Sequence, residues 1–293
     1  DITGPMLRRT VLALPLAATA KPLPLRLSIR VEPLFPGMTL EAQLDQVAAA
    51  EYPGFEFGDW RAVDPSAITQ RMHRLKLDCV CLVGNKGVNP KGMGLCDPAE
   101  RAGFLAEIKA SAEACEKFET KQMVVLSGFK VPGLSREQQR ASVVEGLKRA
   151  HEIVAPRGIT MIVEVINTLA KIEPLNPKGN NHADYFLDRT PEAFAIVRET
   201  GSPFVKILYD LYHVQIMEGN LIETIRANLP AIGHVHVADV PGRQEPGTGE
   251  IQFPNVLRAL RDLRYPGYVG MEYIPSKDAM RTLRDVRQMV RRL

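Results

Sequence analysis

Four side chains of the kinds that hold divalent cations, Glu164, Asp210, His236 and Glu272, each stand near the C-terminal end of a short apolar run, reading MIVEV, FVKILYD, GHVHVAD and YVGMEY. Three carboxylates and one imidazole suit a hard or borderline ion, Mn²⁺, Mg²⁺ or Co²⁺, better than structural zinc. One divalent metal ion held this way keeps coordination positions open for a hydroxy-ketone that chelates through adjacent oxygens. It would polarise the carbonyl and stabilise the enediolate left when the neighbouring carbon loses a proton. Glu164 and Glu272 would reach that substrate from different sides, so that one removes the proton and the other returns it.

Other residues are candidates for the same pocket. His213, three residues after Asp210 in YDLYHVQIMEG, is expected at the same mouth, either on a substrate oxygen or as a cap. Arg243, in the PGR turn, presents a planar fork suited to a carboxylate or to hydroxyls. Lys206, Glu56 and Trp60 are further candidates for lining the pocket, with Trp60 equally suited to packing the rim. His234 and His236 alternate across Val235 and so share one strand face; His236, nearer the C-terminal end, is read as the ligand and His234 as lying a layer deeper.

Residues so far apart in sequence meet only if strand ends converge. From about Pro24 a pattern of apolar run, loop and helix repeats eight times, with strands LRLSIRV, GFEF, LDCVCLV, QMVVLS, TMIVEVI, FVKILYD, IGHVHVA and YVGME. Helices are predicted over 40–50, 98–118, 136–155, 191–199, 221–228, 254–263 and 276–293. Near-continuous apolar runs are what parallel strands buried on both faces require. Such alternation closes most naturally as an α/β (β/α)8 TIM barrel, whose C-terminal strand ends share one mouth. A doubly wound open sheet is the competing architecture, but no glycine-rich dinucleotide fingerprint or P-loop follows any strand. Two long polar loops, 167–188 and 239–253, are placed to shape the substrate side of the mouth.

The 293 residues fit one such domain over 21–293, with no linker. Hydrophobic content of 45% and charged content of 24% are those of an ordinary globular chain. The net charge of +3 is spread out, so no nucleic-acid surface is expected. Asp1 to Pro5 precede a plausible initiator, Met6, and read as an extraneous remnant. The paired Arg8 and Arg9, the apolar run to Ala18 and the Ala-Thr-Ala that ends at Ala20 read as a twin-arginine secretory signal too short to span a bilayer. A periplasmic or exported protein follows if that signal is used, and a cytoplasmic one if the segment instead packs on the barrel. Cys79, Cys81, Cys96 and Cys115 have no metal-ligand spacing and define no disulfide framework, and Cys79 and Cys81, alternating across Val80, read as small buried hydrophobes.

The segments YPGFEFGDW, NHADYFLDRT, YDLYHVQIMEG and GHVHVADVPGRQEPGTGEI carry a resemblance to the hydroxypyruvate isomerase family of xylose-isomerase-like barrels, extending from the first strand to the C-terminus. The resemblance implies a divalent-metal barrel that interconverts hydroxypyruvate and tartronate semialdehyde, or a related ketose 3-epimerase of the tagatose or allulose type. It implies Glu164 and Glu272 as ligands and acid/base pair, Asp210 and His236 as the other ligands, and His213 and Arg243 as substrate contacts. His236 matches the epimerases, since hydroxypyruvate isomerases often carry Gln there. Gly58 replaces the bulky residue of the family pattern, which implies a wider pocket. A small keto acid or ketose is thus the expected partner, with a homo-oligomer compatible.

Two rivals stand beside this reading. A metal-dependent apurinic endonuclease resembles the chain at Glu164, Asp210, His213 and Glu272, but needs further histidines where the strand ends here read EFGDW, LVGNKG and LSGFK. A non-catalytic sugar-binding barrel would keep the pocket without needing both glutamates.

Overall fold

The computed structural model describes residues 23–86, 94–170, 174–175 and 182–293. The predicted signal over 1–20 lies outside the described residues. The strands β1 Arg26–Arg30, β2 Gly54–Phe57, β3 Asp78–Val83, β4 Gln122–Val125, β5 Thr160–Glu164, β6 Val205–Asp210, β7 Ile232–Val237 and β8 Tyr268–Met271 follow the eight predicted runs. Each pairs in parallel with the next, and β8 closes on β1. The protein is therefore an eight-stranded parallel TIM barrel.

The helices are α1 Val31–Leu34, α2 Leu40–Ala49, α3 Pro65–Leu75, α4 Arg101–Lys117, α5 Arg136–Val154, α6 Thr190–Thr200, α7 Leu211–Met217, α8 Leu221–Asn228, α9 Phe253–Asp262 and α10 Ala279–Arg291. Local chemistry sets several of their ends. Ser135 and Gln138 form a reciprocal capping box on α5, and Asp64 caps α3 ahead of Pro65. Three helices depart from the pattern read in the sequence. The first strand stops at Arg30, and Val31 opens α1, where an unbroken run to Val31 was expected. Helix α3, absent from the predicted set, has few apolar positions, Ile68 and Met72 being the buried ones. Helix α7 starts directly after β6, with Asp210 as its cap accepting from the Tyr212 N–H at 2.8 Å.

Burial explains the closure. Strand β7 is buried at all six positions and β2 at all four, because one face packs on the helices and the other fills the barrel. One line of register, Asp210, His236, Gly270 and Ser28, crosses β6, β7, β8 and β1. The four cysteines are free and buried, Cys79 and Cys81 as read from the sequence. Among the described residues, no helix is long and apolar enough to cross a membrane.

Candidate metal centre and its cavity

The closed barrel brings the ends of β5, β6, β7 and β8 together, and with them the four predicted donors. Glu164 ends β5, Asp210 ends β6, His236 is next to last in β7, and Glu272 follows the last residue of β8. One ligand atom from each lies within 4.8 Å of the others. Glu164, His236 and Glu272 line a cavity of about 700 Å³, within the range of ordinary small-molecule sites, and Asp210 lies beside them.

The donor set fits a hard or borderline divalent cation. His236 Nδ1 is buried and lies 3.1 Å from Glu272 Oε2, yet it is out of line for a hydrogen bond and has no partner. With Nε2 given to Glu56, a neutral imidazole presents its Nδ1 lone pair to that carboxylate oxygen, and a protonated one holds its N–H out of line with it. Buried polar atoms left in this way are costly, and a shared cation would relieve both.

The charges respond to burial and to one another. Burial, then the neighbouring Glu272, pushes the Glu164 carboxyl up to about 8. Burial likewise raises Asp210 to about 6, against the pull of Arg243. Burial also opposes ionisation of Glu272, but His236 and Arg243 outweigh it and hold that carboxyl well below the usual range. Burial works against a charged His236 too, and Glu272 and Glu56 overcome it, so the imidazole is raised well above its ordinary value. A field that favours a positive imidazole also favours a cation between the carboxylates.

His213 and Arg243 reach the same mouth. His213 Nδ1 lies 3.2 Å from the Asn167 backbone N–H and 2.7 Å from its Nδ2, so it accepts and Nε2 carries the proton. Burial and the nearby Arg243 hold His213 well below its usual pKa, so it is a neutral donor lining the cavity. Arg243 Nη2 bridges Glu272 Oε2 at 2.7 Å and Asp210 Oδ2 at 3.3 Å. Its loop is held by the buried Asp239, whose carboxylate accepts from the N–H groups of Val240, Gly247, Gly249 and Ile251.

Of the three further residues expected in the pocket, Glu56 lines the cavity, whereas Lys206 and Trp60 do not. Glu56 is fully buried on the cavity floor, with Oε2 taking His236 Nε2 at 2.8 Å and Oε1 taking His234 Nε2 at 3.0 Å and Ser28 Oγ at 2.5 Å. Both oxygens are engaged by these donors, so it orients the histidines. Lys206 precedes Asp210 by four residues on β6, pairs with Ile162, and does not line the cavity. At roughly 3.3 Å per residue it sits too deep in the barrel to reach the mouth. Trp60 packs on the core at the rim, with its indole N–H on the Val83 carbonyl at 3.2 Å and the Arg61 guanidinium 4.1 Å above its ring.

Sequence reading missed Arg30, Glu32, Arg61, Lys86 and His182, which line the cavity. Arg30 had a signal. It has the same place at the end of β1 that Glu164 has on β5, and in register it faces Glu56.

Comparison with known proteins agrees with this architecture. The family model of the xylose isomerase-like TIM barrel matches residues 44–293, and the chain belongs to that family. It is an enzyme of the isomerase class. Over 80% of this chain and 88% of the relative, it is 30% identical to a 2-oxo-tetronate isomerase of Cupriavidus necator. Hydroxypyruvate isomerase of Escherichia coli is 29% identical over 86% of this chain and 94% of its own length. The crystal structure of an AP endonuclease, family 2, from Brucella melitensis superposes with a TM-score of 0.79 at 26% identity, covering 88% of this chain and 96% of that one.

Proposed function

We propose that the chain is a divalent-metal-dependent isomerase that moves a proton on a small hydroxy-ketone, hydroxypyruvate being the first substrate to test. The observation that carries this is the convergence of Glu164, Asp210, His236 and Glu272 within 4.8 Å in a cavity, with His236 Nδ1 unpartnered beside Glu272. When bound, the ion supplies polarisation of the substrate carbonyl and charge stabilisation of the enediolate, with Mn²⁺, Mg²⁺ or Co²⁺ matching the donors. The rest is the work of side chains. Glu272 takes the proton from the carbon beside the carbonyl, and Glu164, on the other side of the site, returns one exchanged with solvent to the other carbon. His213 donates through Nε2 to a substrate oxygen. Arg243 steadies the two ligand carboxylates at the mouth where the substrate binds.

A ketose 3-epimerase of the tagatose or allulose type is the second reading. It is favoured by a cavity of about 700 Å³, generous for a three-carbon acid. Endonuclease chemistry of the multi-metal kind is disfavoured because the described histidines that line the cavity are His182, His213 and His236, none of them from β1 to β4. The test is turnover by the Mn²⁺-loaded protein of a panel of hydroxypyruvate and free ketoses in D₂O. Deuterium is expected on the carbon beside the carbonyl of the product, and turnover without it would overturn the enediolate route.

A further inference from the structure

The cavity wall made by β1 and β2 is built differently from the metal-type wall. Arg30 ends β1 on the inner face and its side chain is 18% exposed, lining the cavity. Its Nε lies 3.2 Å from Glu32 Oε2 and 3.8 Å from Glu272 Oε1. Glu32 is itself pinned, since its Oε1 accepts from the Gly58 backbone N–H at 2.5 Å. No hydrogen bond to Nη1 or Nη2 of Arg30 is made by the described residues. A guanidinium is thus tethered at one edge while its planar fork stands in the cavity.

Gly58 is what makes room for that fork. A Cβ at this position would lie 2.6 Å from Arg30 Nη2 and 3.3 Å from Glu32 Oε1. Gly58 is not among the residues with positive φ, so what a side chain here would disturb is the placement of the Arg30 fork, the movable end of a flexible side chain, and not the backbone. The wider pocket expected from Gly58 is therefore not open there: the guanidinium fills the space a side chain would take. Arg61, the neighbouring cation of this wall, is already paired with Glu107 and stacked on Trp60.

The geometry points to Arg30 as the recognition site for an anionic end group of the substrate, a carboxylate held bidentately, so that the enzyme prefers short keto acids to neutral ketoses. This rests on the reading that substrate binds at the four-donor group. A guanidinium fork matches the two oxygens of a carboxylate in plane and spacing, which a hydroxyl cannot do. A carboxylate on that fork lies beside Glu272, which brings the adjoining carbons to the group that moves the proton. Unpartnered N–H groups in a partly desolvated wall make the absence of such an anion costly, and this turns Arg30 into a discriminator.

The experiment compares hydroxypyruvate with dihydroxyacetone, in which a neutral CH₂OH replaces the carboxylate. The Mn²⁺-loaded protein is used, with Kd from calorimetry and kcat/KM from deuterium exchange. Wild type is expected to prefer hydroxypyruvate, and Arg30→Met to lose about 10- to 100-fold of that preference, the size of a lost charge-assisted hydrogen bond pair. The loss should appear in Kd and KM more than in kcat. Gly58→Val, which leaves Arg30 in the chain but displaces its fork, should lose preference in the same direction, and the double variant should lose little more than Arg30→Met alone. A folded Arg30→Met protein with the wild-type preference overturns the proposal; should that variant not fold, wild-type preference in Gly58→Val does so. Arg30-dependent binding of hydroxypyruvate without any turnover sinks the isomerase reading and sustains this one, whereas turnover with Arg30-independent preference does the reverse.

Discussion

His234 and His236 stand on the same face of β7 with ring centroids 4.9 Å apart, and both touch Glu56, yet they belong to clusters of opposite character. In the deeper one, Glu56 is surrounded by donors: His234, His236, Ser28 and the Cys81 thiol, whose Sγ is 3.5 Å from Oε2. His234 and His236 outweigh the cost of burial and hold Glu56 well below the usual carboxylate range. Gly270 seals this layer, since a Cβ there would lie 2.2 Å from Glu56 Oε1. In the upper cluster three carboxylates, Glu164, Asp210 and Glu272, crowd together beside a cavity, with His236 and Arg243 as the cations among them. The residue types are nearly the same in both. What separates a finished network from a reactive one is whether one carboxylate is surrounded by donors or several carboxylates crowd together, and whether space adjoins them.

The comparison breaks most visibly at the upper cluster. Glu272→Gln or Glu164→Gln should fold as wild type does while losing on the order of 10²-fold or more in kcat, because each removes both a ligand and a proton carrier. Near-wild-type rates in both, measured on the Mn²⁺-loaded protein, would remove these residues from the mechanism.

At the junction of the two clusters, Glu56→Gln should weaken Mn²⁺ binding by about 10- to 100-fold, the usual effect of losing the partner that orients a ligating histidine. Calorimetric titration with Mn²⁺ measures it. An unchanged affinity would make Glu56 a purely internal brace.

A smaller effect separates the clusters by pH. Glu164, raised to about 8, and Asp210, raised to about 6, keep protons in the native state that the unfolded chain releases near pH 4. Their contribution to stability therefore falls as pH rises through that window and stops changing above about 8. Glu56 and Glu272, both lowered, contribute throughout this window and lose their contribution only in acid. In metal-free protein the melting temperature of Glu164→Gln should accordingly gain on wild type between pH 5 and 8, and saturating Mn²⁺ should abolish the trend. A difference independent of pH would show that Glu164 is not the strained carboxyl.

Smallest of all should be Ser28→Ala, which removes one of several donors to Glu56 and should cost about 1 kcal/mol in denaturant unfolding. A loss several times larger would mean that the deeper network has no redundancy.

Much of this was legible in the chain because strand ends are where a barrel exposes its chemistry. Glu164, Asp210, His236 and Glu272 are polar interruptions of apolar runs, and the parity of β7 correctly puts His234 beneath His236. Glu56 was visible as a strand-end residue but not as a brace, because its partners come from β1, β3 and β7, and pairing at that distance leaves no local pattern. Lys206 misled because a polar residue on the inner face looks alike at either end of the barrel. Arg30 was hidden by the short α1, which turns the chain one residue earlier than the apolar run suggests. Helix α3 was hidden by its weak apolar face. The signal expected over residues 1–20 lies outside the described residues.

Trp60 has a consequence of another kind. It is the only tryptophan in the chain, and the cation stacked on it, Arg61, also lines the substrate cavity. Excitation at the indole band therefore reports from a single known place, within one side chain of the ligand. A titration that shifts Arg61 will register as a change in emission intensity or wavelength, without any label. The protein is in this sense already an optical sensor for whatever enters its barrel, and a stopped-flow trace of that emission would time substrate arrival separately from the chemistry that follows.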